Sequence, residues 1–248
     1  MYTDEKEKFK YTALCGSAPQ WLHNAFLNEG VRLIEAGECR NVLKPVSTHI
    51  DLMALNADDT IFVSGEMNDR LKDICKKDTE AEKCISKYSV ISIAENLSEK
   101  YPLDIPLNAV CLPEFFICNT KTVSPKVLEY IKTTGREIIN VRQGYTKCST
   151  CIVSNESIIT EDESIYNACK DKLQTLLIKK GEVSLPGFDY GFIGGASARV
   201  GNRVYFFGNL DAHPDAEKIK EFVNKQGADA VSLSKNNKLL DIGSILIL

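Results

Sequence analysis

The sequence predicts a mixed α/β fold built from five copies of one strand–strand–helix–strand unit, arranged as a five-fold pseudosymmetric α/β propeller. Three observations support it. The same order of elements recurs along the 248 residues, equivalent first strands follow one another at intervals of 40 to 57 residues, and the two chain ends together supply a fifth unit. Pairing of the C-terminal strand with the N-terminal unit would close the ring and leave no open sheet edge. We therefore expect residues 1–248 to form a single domain.

The clearest copy of the unit lies near the C-terminus. Its strands are expected at 192–200, 203–207 and 229–233, with a helix at 213–226. Gly201 and Asn202 are typical of a turn between the first two strands. Pro214 suits the first turn of the helix, where its missing N–H is not needed, and Gly227 ends that helix.

Three further copies precede it, and the fifth is divided between the chain ends. The expected strands of the three copies are 48–55, 60–63 and 88–93, then 107–112, 115–118 and 137–141, then 148–153, 157–160 and 175–179, with helices at 67–85, 124–134 and 162–173. For the divided unit, 241–248 supplies the first strand, and 11–15, a helix ending at Gly30 and 31–35 supply the rest. The alternative is an open α/β sheet with coincidental spacing, but the divided unit favours the ring.

Composition and charge exclude several classes of function. The net charge of −4 argues against a nucleic-acid partner, whose phosphates favour a basic face. The N-terminus mixes acidic and basic residues without an apolar stretch, and no apolar run approaches the roughly 18 residues of a membrane span. We expect a cytoplasmic protein that binds neither nucleic acid nor membrane. Its nine cysteines, an odd number, are then mostly free thiols.

Five segments carry a resemblance to a known family. They are 101–110 (YPLDIPLNAV), 140–153 (NVRQGYTKCSTCIV), 185–197 (LPGFDYGFIGGAS), 208–215 (GNLDAHPD) and 241–246 (DIGSIL). The chain resembles the pentein, or α/β-propeller, fold of the guanidino-group-modifying enzymes, and it is similar to an uncharacterised bacterial family of that fold. The resemblance implies a cysteine thiolate that attacks the guanidinium carbon, a histidine that transfers protons, and carboxylates that hold the cation. It implies no cofactor.

The residues His49 and Asp51 match the His-x-Asp element of that superfamily. Residues two apart in a strand point to the same face, so we expect both side chains to enter one pocket. Of the three histidines, His23 lies in an amphipathic helix and His213 at a helix start. The alternative is a histidine at the entry of a strand whose neighbouring carboxylate faces solvent.

The nucleophile departs from the superfamily pattern. The cysteine of the superfamily usually lies in the final strand, where this chain has Ser244, a poor nucleophile without an obvious base. We therefore predict His49, Asp51 and Cys148 as the catalytic residues, with Cys151 and Cys111 as other candidates for the thiol. Each of these cysteines could equally be a buried core thiol.

The Cys148-Ser-Thr-Cys151 motif has other interpretations. A thioredoxin-like pair would begin a helix, where the dipole lowers the thiol pKa, but this pair opens a predicted strand. Structural zinc usually takes two such pairs, and the sequence has no second one. We therefore predict no metal site, and a redox function is the weakest alternative.

Polar groups are expected around the axis of the ring. The predicted substrate-binding residues are Asn108, Cys151, Gly194, Gly195, Asp241 and Ser244, with Asp189 also near the axis. Gly194 and Gly195 precede a strand, not a helix, so they permit close approach of backbones or a ligand and do not form a phosphate-binding loop. The acidic groups favour a small cationic ligand, although they could instead satisfy turn backbone.

The sequence thus supports three functions. The first is a guanidino- or amidine-group-modifying enzyme of hydrolase or amidinotransferase type, using His49, Asp51 and a cysteine. The second is a non-catalytic pentein that binds a small ligand or a protein on the same ring. The third is a thiol redox protein using Cys148 and Cys151. Substrate, protein partner and oligomeric state stay open.

Overall fold

The computed structural model describes residues 9–248, which form five three-stranded sheets and seven α-helices. The first sheet has the order β15-β1-β2, and the second to fifth sheets are β3-β4-β5, β6-β7-β8, β9-β10-β11 and β12-β13-β14. The strands are β1 Tyr11–Cys15, β2 Val31–Glu35, β3 Ala54–Ala57, β4 Thr60–Val63, β5 Ser89–Ser92, β6 Val110–Cys111, β7 Phe115–Cys118, β8 Glu137–Asn140, β9 Thr150–Ser154, β10 Ser157–Thr160, β11 Gln174–Leu177, β12 Ser197–Val200, β13 Arg203–Phe206, β14 Asp229–Ser232 and β15 Leu246–Ile247. The fold is therefore mixed α/β with a repeated small sheet, as predicted.

Every sheet repeats one pairing pattern. The middle strand pairs antiparallel with one neighbour and parallel with the other, and helices cross between the two parallel strands. Such a crossover is needed because parallel strands cannot be joined by a tight turn. The helices are α1 Gln20–Asn28, α2 Ile50–Met53, α3 Gly65–Lys77, α4 Thr79–Ile85, α5 Pro125–Thr133, α6 Glu163–Cys169 and α7 Ala216–Lys225.

The first sheet is assembled from both chain ends, as the sequence predicted. In β15, Ile247 pairs antiparallel with Ala13, and Leu246 pairs with Leu14, both in β1. The C-terminal strand therefore supplies the antiparallel neighbour that the other four sheets obtain from the preceding segment of chain.

Five apolar clusters among residues 9–248 each join two sheets. They connect the first sheet to the second, the second to the third, the third to the fourth, the fourth to the fifth, and the fifth to the first. The last of these contacts is aromatic: the ring of Phe26, in α1, lies 5.6 Å from the ring of Tyr205 and 5.5 Å from that of Phe207. Buried aromatic pairs of this kind stabilise beyond the area they remove from water.

Several helices and strands begin or end at other residues than the sequence predicted. Segment 48–55 forms α2 and the start of β3 where a single strand was predicted, and 192–200 is a strand only from Ser197. Segment 241–248 pairs only over 246–247. The helix predicted over 67–85 is interrupted at Asp78 and continues as a second helix, α4. The Asp78 side chain caps the start of α4 by accepting a hydrogen bond from Ala81 N. Short apolar runs are compatible with either a strand or a buried helix, which explains the error at α2.

No helix within residues 9–248 is long and apolar enough to cross a membrane.

Candidate active site

Four polar side chains from distant segments meet where three loops converge. His49 directly precedes α2, Asp51 lies in its first turn, Cys148 precedes β9, and Asp241 lies before β15. All four are at most 5% exposed. Because burying polar and ionisable groups costs free energy, such a concentration is uncommon unless the groups satisfy one another or serve a function.

The thiol of Cys148 is the centre of this group. Its Sγ–H donates to Asp51 Oδ2 at 3.0 Å. One nitrogen of the His49 ring, a carboxylate oxygen of Asp51 and Cys148 Sγ all lie within 4.8 Å of one another. The segment 49–51 and the segment at 148 are almost a hundred residues apart in sequence, so only the tertiary fold brings these atoms together.

The imidazole of His49 lies between two carboxylates without a short hydrogen bond to either. Its Nδ1 is 4.0 Å from Asp51 Oδ1, and its Nε2 is 3.6 Å from Asp241 Oδ1. Neither ring nitrogen has a hydrogen-bond partner among the described residues, and neither does Asp51 Oδ1. Buried polar atoms normally have partners, so these three atoms have unused hydrogen-bonding capacity beside the thiol.

Asn108 fixes the position of the thiol. Its Nδ2 donates to Cys148 Sγ and to the backbone oxygen of Asp51, both at 3.1 Å. Its Oδ1 accepts from Lys147 N at 2.7 Å and from Cys148 N at 3.2 Å. One buried amide therefore holds the Cys148 turn against the segment that carries Asp51.

Glycines allow the close approach of these segments. A Cβ on Gly195 would lie 1.9 Å from Asp241 Oδ1, and a Cβ on Gly194 would lie 2.2 Å from the carbonyl oxygen of Lys147. Gly243 has a φ of +75°, and a Cβ there would lie 2.3 Å from the Cα of His49. Only a residue without a side chain fits at each of these positions.

Asp241 is held by backbone donors on the same side of the site. Its Oδ2 accepts from Phe192 N at 2.8 Å, and its Oδ1 accepts from Gly243 N at 2.9 Å. These bonds fix the carboxylate beside His49 Nε2, where it can orient or stabilise a positive charge.

Burial and the carboxylates control the protonation of the site. Burial, together with the negative charges of Asp51 and Asp241, raises the pKa of the Cys148 thiol well above its usual value. Burial also raises the pKa of Asp51 to about 6. In the free protein the thiol therefore holds its proton, and the neighbouring carboxylate can accept a proton near neutral pH.

A cavity of about 300 Å³ opens onto this group. It is lined by Val46, His49, Leu52, Tyr145, Cys148, Leu185, Phe188, Asp189, Tyr190, Phe192 and Asp241. The ring of Phe192 lies 6.2 Å from that of Tyr145 and 6.1 Å from that of Tyr190, and the Tyr145 hydroxyl donates to Asp104. Aromatic faces and carboxylates both attract cations, so we expect a positively charged ligand with apolar surface.

The structure brings some of the predicted residues to this cavity and places others elsewhere. His49, Cys148 and Asp241 line it, as does Asp189 at the exposed rim. Asp51 and Asn108 bond to the thiol, and Gly194 and Gly195 pack behind it.

Cys151 and Ser244 do not line this cavity. Cys151 is fully buried in the apolar cluster between the fourth and fifth sheets, and burial raises its pKa to about 11. The Ser244 hydroxyl donates to the carbonyl oxygen of Ser197 at 2.8 Å. Cys111 and Ser244 both line a second cavity, away from His49.

His49 and Asp51 share the site for a different reason from the predicted one. They are not two residues of one strand, because His49 has extended backbone dihedrals (φ −80°, ψ 108°) and α2 begins at the next residue. The sharp change from loop to helix places both side chains beside Cys148. Sequence reasoning also missed the aromatic wall, although its residues lie within the segments 140–153 and 185–197 that carry the family resemblance.

Within residues 9–248, two groups of side chains have donors placed for a metal ion. His49, Asp51 and Cys148 form one, and Cys15, His23 and Glu35 form the other. In the second group Glu35 Oε1 already accepts from Ala18 N at 3.1 Å and lies 2.9 Å from His23 Nε2. The Glu35 carboxylate therefore already has hydrogen-bond partners in and near α1.

The variant Asp51→Asn is expected to be more stable than the unchanged protein at pH 8 and close to it at pH 4. The raised pKa of Asp51 means that the folded protein buries a charge only above about pH 6, whereas the unfolded chain ionises from about pH 4. The variant should gain on the order of 2 kcal/mol in free energy of unfolding at pH 8, measured by urea denaturation at both pH values. Asp171→Asn, at an exposed position, is the control and should show no such difference. An Asp51→Asn variant that is destabilised equally at both pH values would contradict the assignment of a buried carboxylate charge.

Comparisons with known proteins show the fold. Among solved structures, DDAH from Pseudomonas aeruginosa, a cysteine-to-serine mutant complexed with citrulline, has a TM-score of 0.57 at 10% identity, over 92% of this chain and 93% of its own. Agmatine deiminase from C. jejuni with substrate bound has a TM-score of 0.55 at 9% identity, over 100% and 98%. An amidinotransferase from Microseira wollei, in a saxitoxin biosynthetic pathway, has a TM-score of 0.52 at 8% identity, over 91% and 82%. The chain therefore has the pentein fold.

Sequence comparisons give a family but no reaction. A family model described as "Family of unknown function (DUF6873)" matches residues 15–246. No curated protein sequence matches the chain. The chemistry has to be inferred from the site.

Proposed function

The chain belongs to the DUF6873 family of unknown function, and we propose that it is a cysteine-dependent enzyme that modifies a small cation bearing a guanidinium or amidinium group. One observation carries the proposal: the Cys148 thiol, the His49 ring and the Asp51 carboxylate lie within 4.8 Å of one another beside a cavity with aromatic and acidic walls. A nucleophile, a proton carrier and a cation-binding wall are the groups that this chemistry needs.

The cavity supports binding of a planar cation. The buried carboxylate of Asp241 can accept hydrogen bonds from a guanidinium or amidinium, and the faces of Tyr145 and Phe192 favour positive charge. The positive charge of a bound cation would also offset the negative charges of Asp51 and Asp241, which raise the pKa of the Cys148 thiol. Substrate binding would thus make the thiol more acidic at the moment when a thiolate is required.

The reaction begins with attack by the thiol. As Cys148 Sγ forms a bond to the central carbon of the cation, its proton passes to Asp51 Oδ2, its hydrogen-bond partner at 3.0 Å. The tetrahedral intermediate then collapses, and the C–N bond breaks as the His49 ring donates a proton to the departing amine. The substrate carbon is left attached to sulfur, and His49 has given up one proton.

Water completes the turnover in a hydrolase. It adds to the sulfur-bound carbon and loses a proton to His49, which regains the proton it gave to the amine. Collapse of the second intermediate breaks the C–S bond, the sulfur takes back the proton held by Asp51, and the remaining hydroxyl proton passes to the released amine or to solvent. The product is a urea or an amide, and an amine acceptor in place of water would give group transfer.

We also propose that the five sheets form a closed ring around this cavity and that residues 1–248 are one domain. The pairing of β15 with β1 supports the ring, as do the apolar clusters that connect the sheets in cyclic order. The site then lies where loops from several units converge, which is how side chains far apart in sequence reach one cavity.

A panel of guanidino and amidino compounds tests the proposed reaction. The purified protein is incubated with alkylguanidines, arylamidines and amino-acid guanidines, and release of ammonia or amine is followed together with formation of the urea or amide. At least one compound should turn over, and a Cys148→Ser protein should release nothing above background. Binding of such cations without release of any amine would contradict the proposed enzyme.

A non-catalytic role is the second candidate, and two observations favour it. Burial and two carboxylates keep the Cys148 thiol protonated. The final segment, where the superfamily usually has its cysteine, has Ser244 instead. A protein of this kind would bind a small cation in the same cavity and release it unchanged. The panel separates the two candidates, because only the enzyme forms a urea or amide.

A further inference from the structure

A second cavity, of about 390 Å³, lies on the other side of the thiol cluster. It shares no lining residue with the His49 cavity. Asp51 lines the second cavity and Cys148 lines the first, and the hydrogen bond of 3.0 Å between them separates the two. The proposed reaction uses only the first cavity, so the second has no assigned role.

The wall of the second cavity combines cations with aliphatic surface. Arg136, Lys147 and Arg199 line it together with the carboxylates of Asp51 and Asp58, so cations outnumber acids there, and most of the remaining wall is aliphatic, as at Leu107 and Leu246. This composition contrasts with the net charge of −4 of the whole chain. A cavity of this kind suits a ligand with an anionic end and an apolar body.

Two of the three cations form no ion pair with a described residue, although the positive charge of Lys147 stabilises the ionised form of the nearby Asp51 carboxylate. Arg136 forms an ion pair with Asp58. Within residues 9–248, neither Lys147 nor Arg199 has a carboxylate oxygen within 4.0 Å of its charged nitrogens. Positive charge in a partly enclosed cavity attracts an anion more strongly than at an open surface, because water screens it less.

The two unpaired cations are held in place by neutral acceptors. Lys147 Nζ donates to the carbonyl oxygen of Gly194 at 3.2 Å. Arg199 Nη1 donates to Asn155 Oδ1 at 2.8 Å, and its Nε donates to the carbonyl oxygen of Gly201 at 3.1 Å. Each side chain is thus partly ordered before a ligand arrives, which lowers the entropic cost of binding.

We propose that the second cavity binds a small organic carboxylate, with its anionic group held by Arg199 and Lys147 and its apolar body against the aliphatic wall. A carboxylate fits better than an inorganic anion because a planar guanidinium forms paired hydrogen bonds with it and the wall removes an alkyl chain from water. Asp51 belongs to both sites, but binding of a carboxylate does not require the proposed reaction and would occur in a catalytic or a non-catalytic protein.

Calorimetric titration of the full chain with hexanoate tests the site. Hexanoate should bind with one-to-one stoichiometry, and hexan-1-ol and hexylamine should bind at least about tenfold more weakly because they lack the anionic group. Arg199→Gln should weaken hexanoate binding about tenfold or more. The matched control is Arg203→Gln, because Arg203 is on the neighbouring strand, pairs with Glu29 and does not line the cavity.

Three results would overturn the proposal: no hexanoate binding at millimolar concentration, equal binding of hexan-1-ol, or unchanged binding in Arg199→Gln. If Arg199→Gln does not fold, Lys147→Gln replaces it with the same expected loss. Inorganic phosphate is the last competitor. If phosphate displaces hexanoate and the alkyl chain adds nothing to the affinity of hexanoate, the result would also count against an organic ligand.

Discussion

Replacing Cys148 by serine is expected to lower kcat on a guanidino or amidino substrate by at least about a thousandfold. A serine hydroxyl is far less acidic than a thiol, and the group that accepts the hydrogen bond from Sγ–H is the weakly basic Asp51 carboxylate, at 3.0 Å. The Kd for the substrate should change less than about threefold, because the substitution preserves shape and the cation contacts the aromatic and acidic walls. Single-turnover kinetics and equilibrium titration measure the two quantities separately.

The matched control is Cys151→Ser, three residues along the chain. The Cys151 side chain lies in the apolar cluster between the fourth and fifth sheets and does not line the His49 cavity. This variant should keep kcat within a few-fold of the unchanged protein, although its stability falls. Activity that depends on Cys151 and survives the loss of Cys148 would reject the assigned nucleophile.

Replacing His49 by alanine should lower kcat by about a hundredfold to ten-thousandfold, the usual contribution of a general acid–base group. The fold should survive the change, since neither His49 ring nitrogen has a hydrogen-bond partner among the described residues. Removing the ring leaves a space next to the cavity, so added imidazole should restore part of the rate. The measurement is kcat with and without imidazole, together with a melting temperature.

His23→Ala is the control for this substitution. His23 is half-buried, and its Nε2 lies 2.9 Å from Glu35 Oε1, outside the His49 cavity. Its loss should affect stability alone. A His49→Ala protein that is fully active, or inactive and not rescued by imidazole although it is folded, would argue against proton transfer by His49.

Much of the fold follows from the sequence because it depends on repetition. The order of strands and helices recurs in each unit. The N-terminal unit lacks its own first strand, and the C-terminal segment supplies one, so the pairing of β15 with β1 could be predicted from the sequence. Apolar runs at β7 and β10 have the length and composition of buried strands, and Pro125 begins α5.

The local errors have a common physical cause. Segments 48–53 and 192–196 resemble strands in sequence, but each forms a turn closed by local hydrogen bonds, such as Leu52 N to the oxygen of His49 and Ala196 N to that of Phe192. Periodicity in sequence cannot detect such turns, because they are imposed by the packing of glycines such as Gly243 and Gly194 against neighbouring segments.

The candidate site was predictable in its residue types more than in its geometry. His49 and Asp51 were found through a three-residue motif, and Cys148 through the absence of a cysteine in the last strand. Their distances depend on contacts across almost a hundred residues, such as the bonds from Asn108 to both segments. The aromatic wall escaped notice because Tyr145 and Phe192 have the pattern of ordinary core residues until the cavity is seen.

The proposed nucleophile lies at a different position from the cysteine of the superfamily pattern that this chain resembles. The final segment contributes Asp241, a carboxylate beside His49 Nε2, while the thiol comes from the loop before β9. In a fold of repeated units, loops of several units reach the same cavity, so a nucleophile from another unit can still face the same cation. This arrangement is part of the proposed function and depends on the reactivity of Cys148.

Covalent labelling with a haloacetamidine tests that reactivity most directly. The reagent combines an amidinium cation with an alkyl halide, so it should be drawn into the His49 cavity and alkylate Cys148, releasing halide. Peptide mass spectrometry after limited reaction should find the label on Cys148 alone, and iodoacetamide, which is neutral, should react there much more slowly. If Cys148 stays unlabelled, or if both reagents label it and the partly exposed thiols of Cys75 and Cys84 at equal rates, the cavity does not direct a cation to a reactive thiol and the account is wrong.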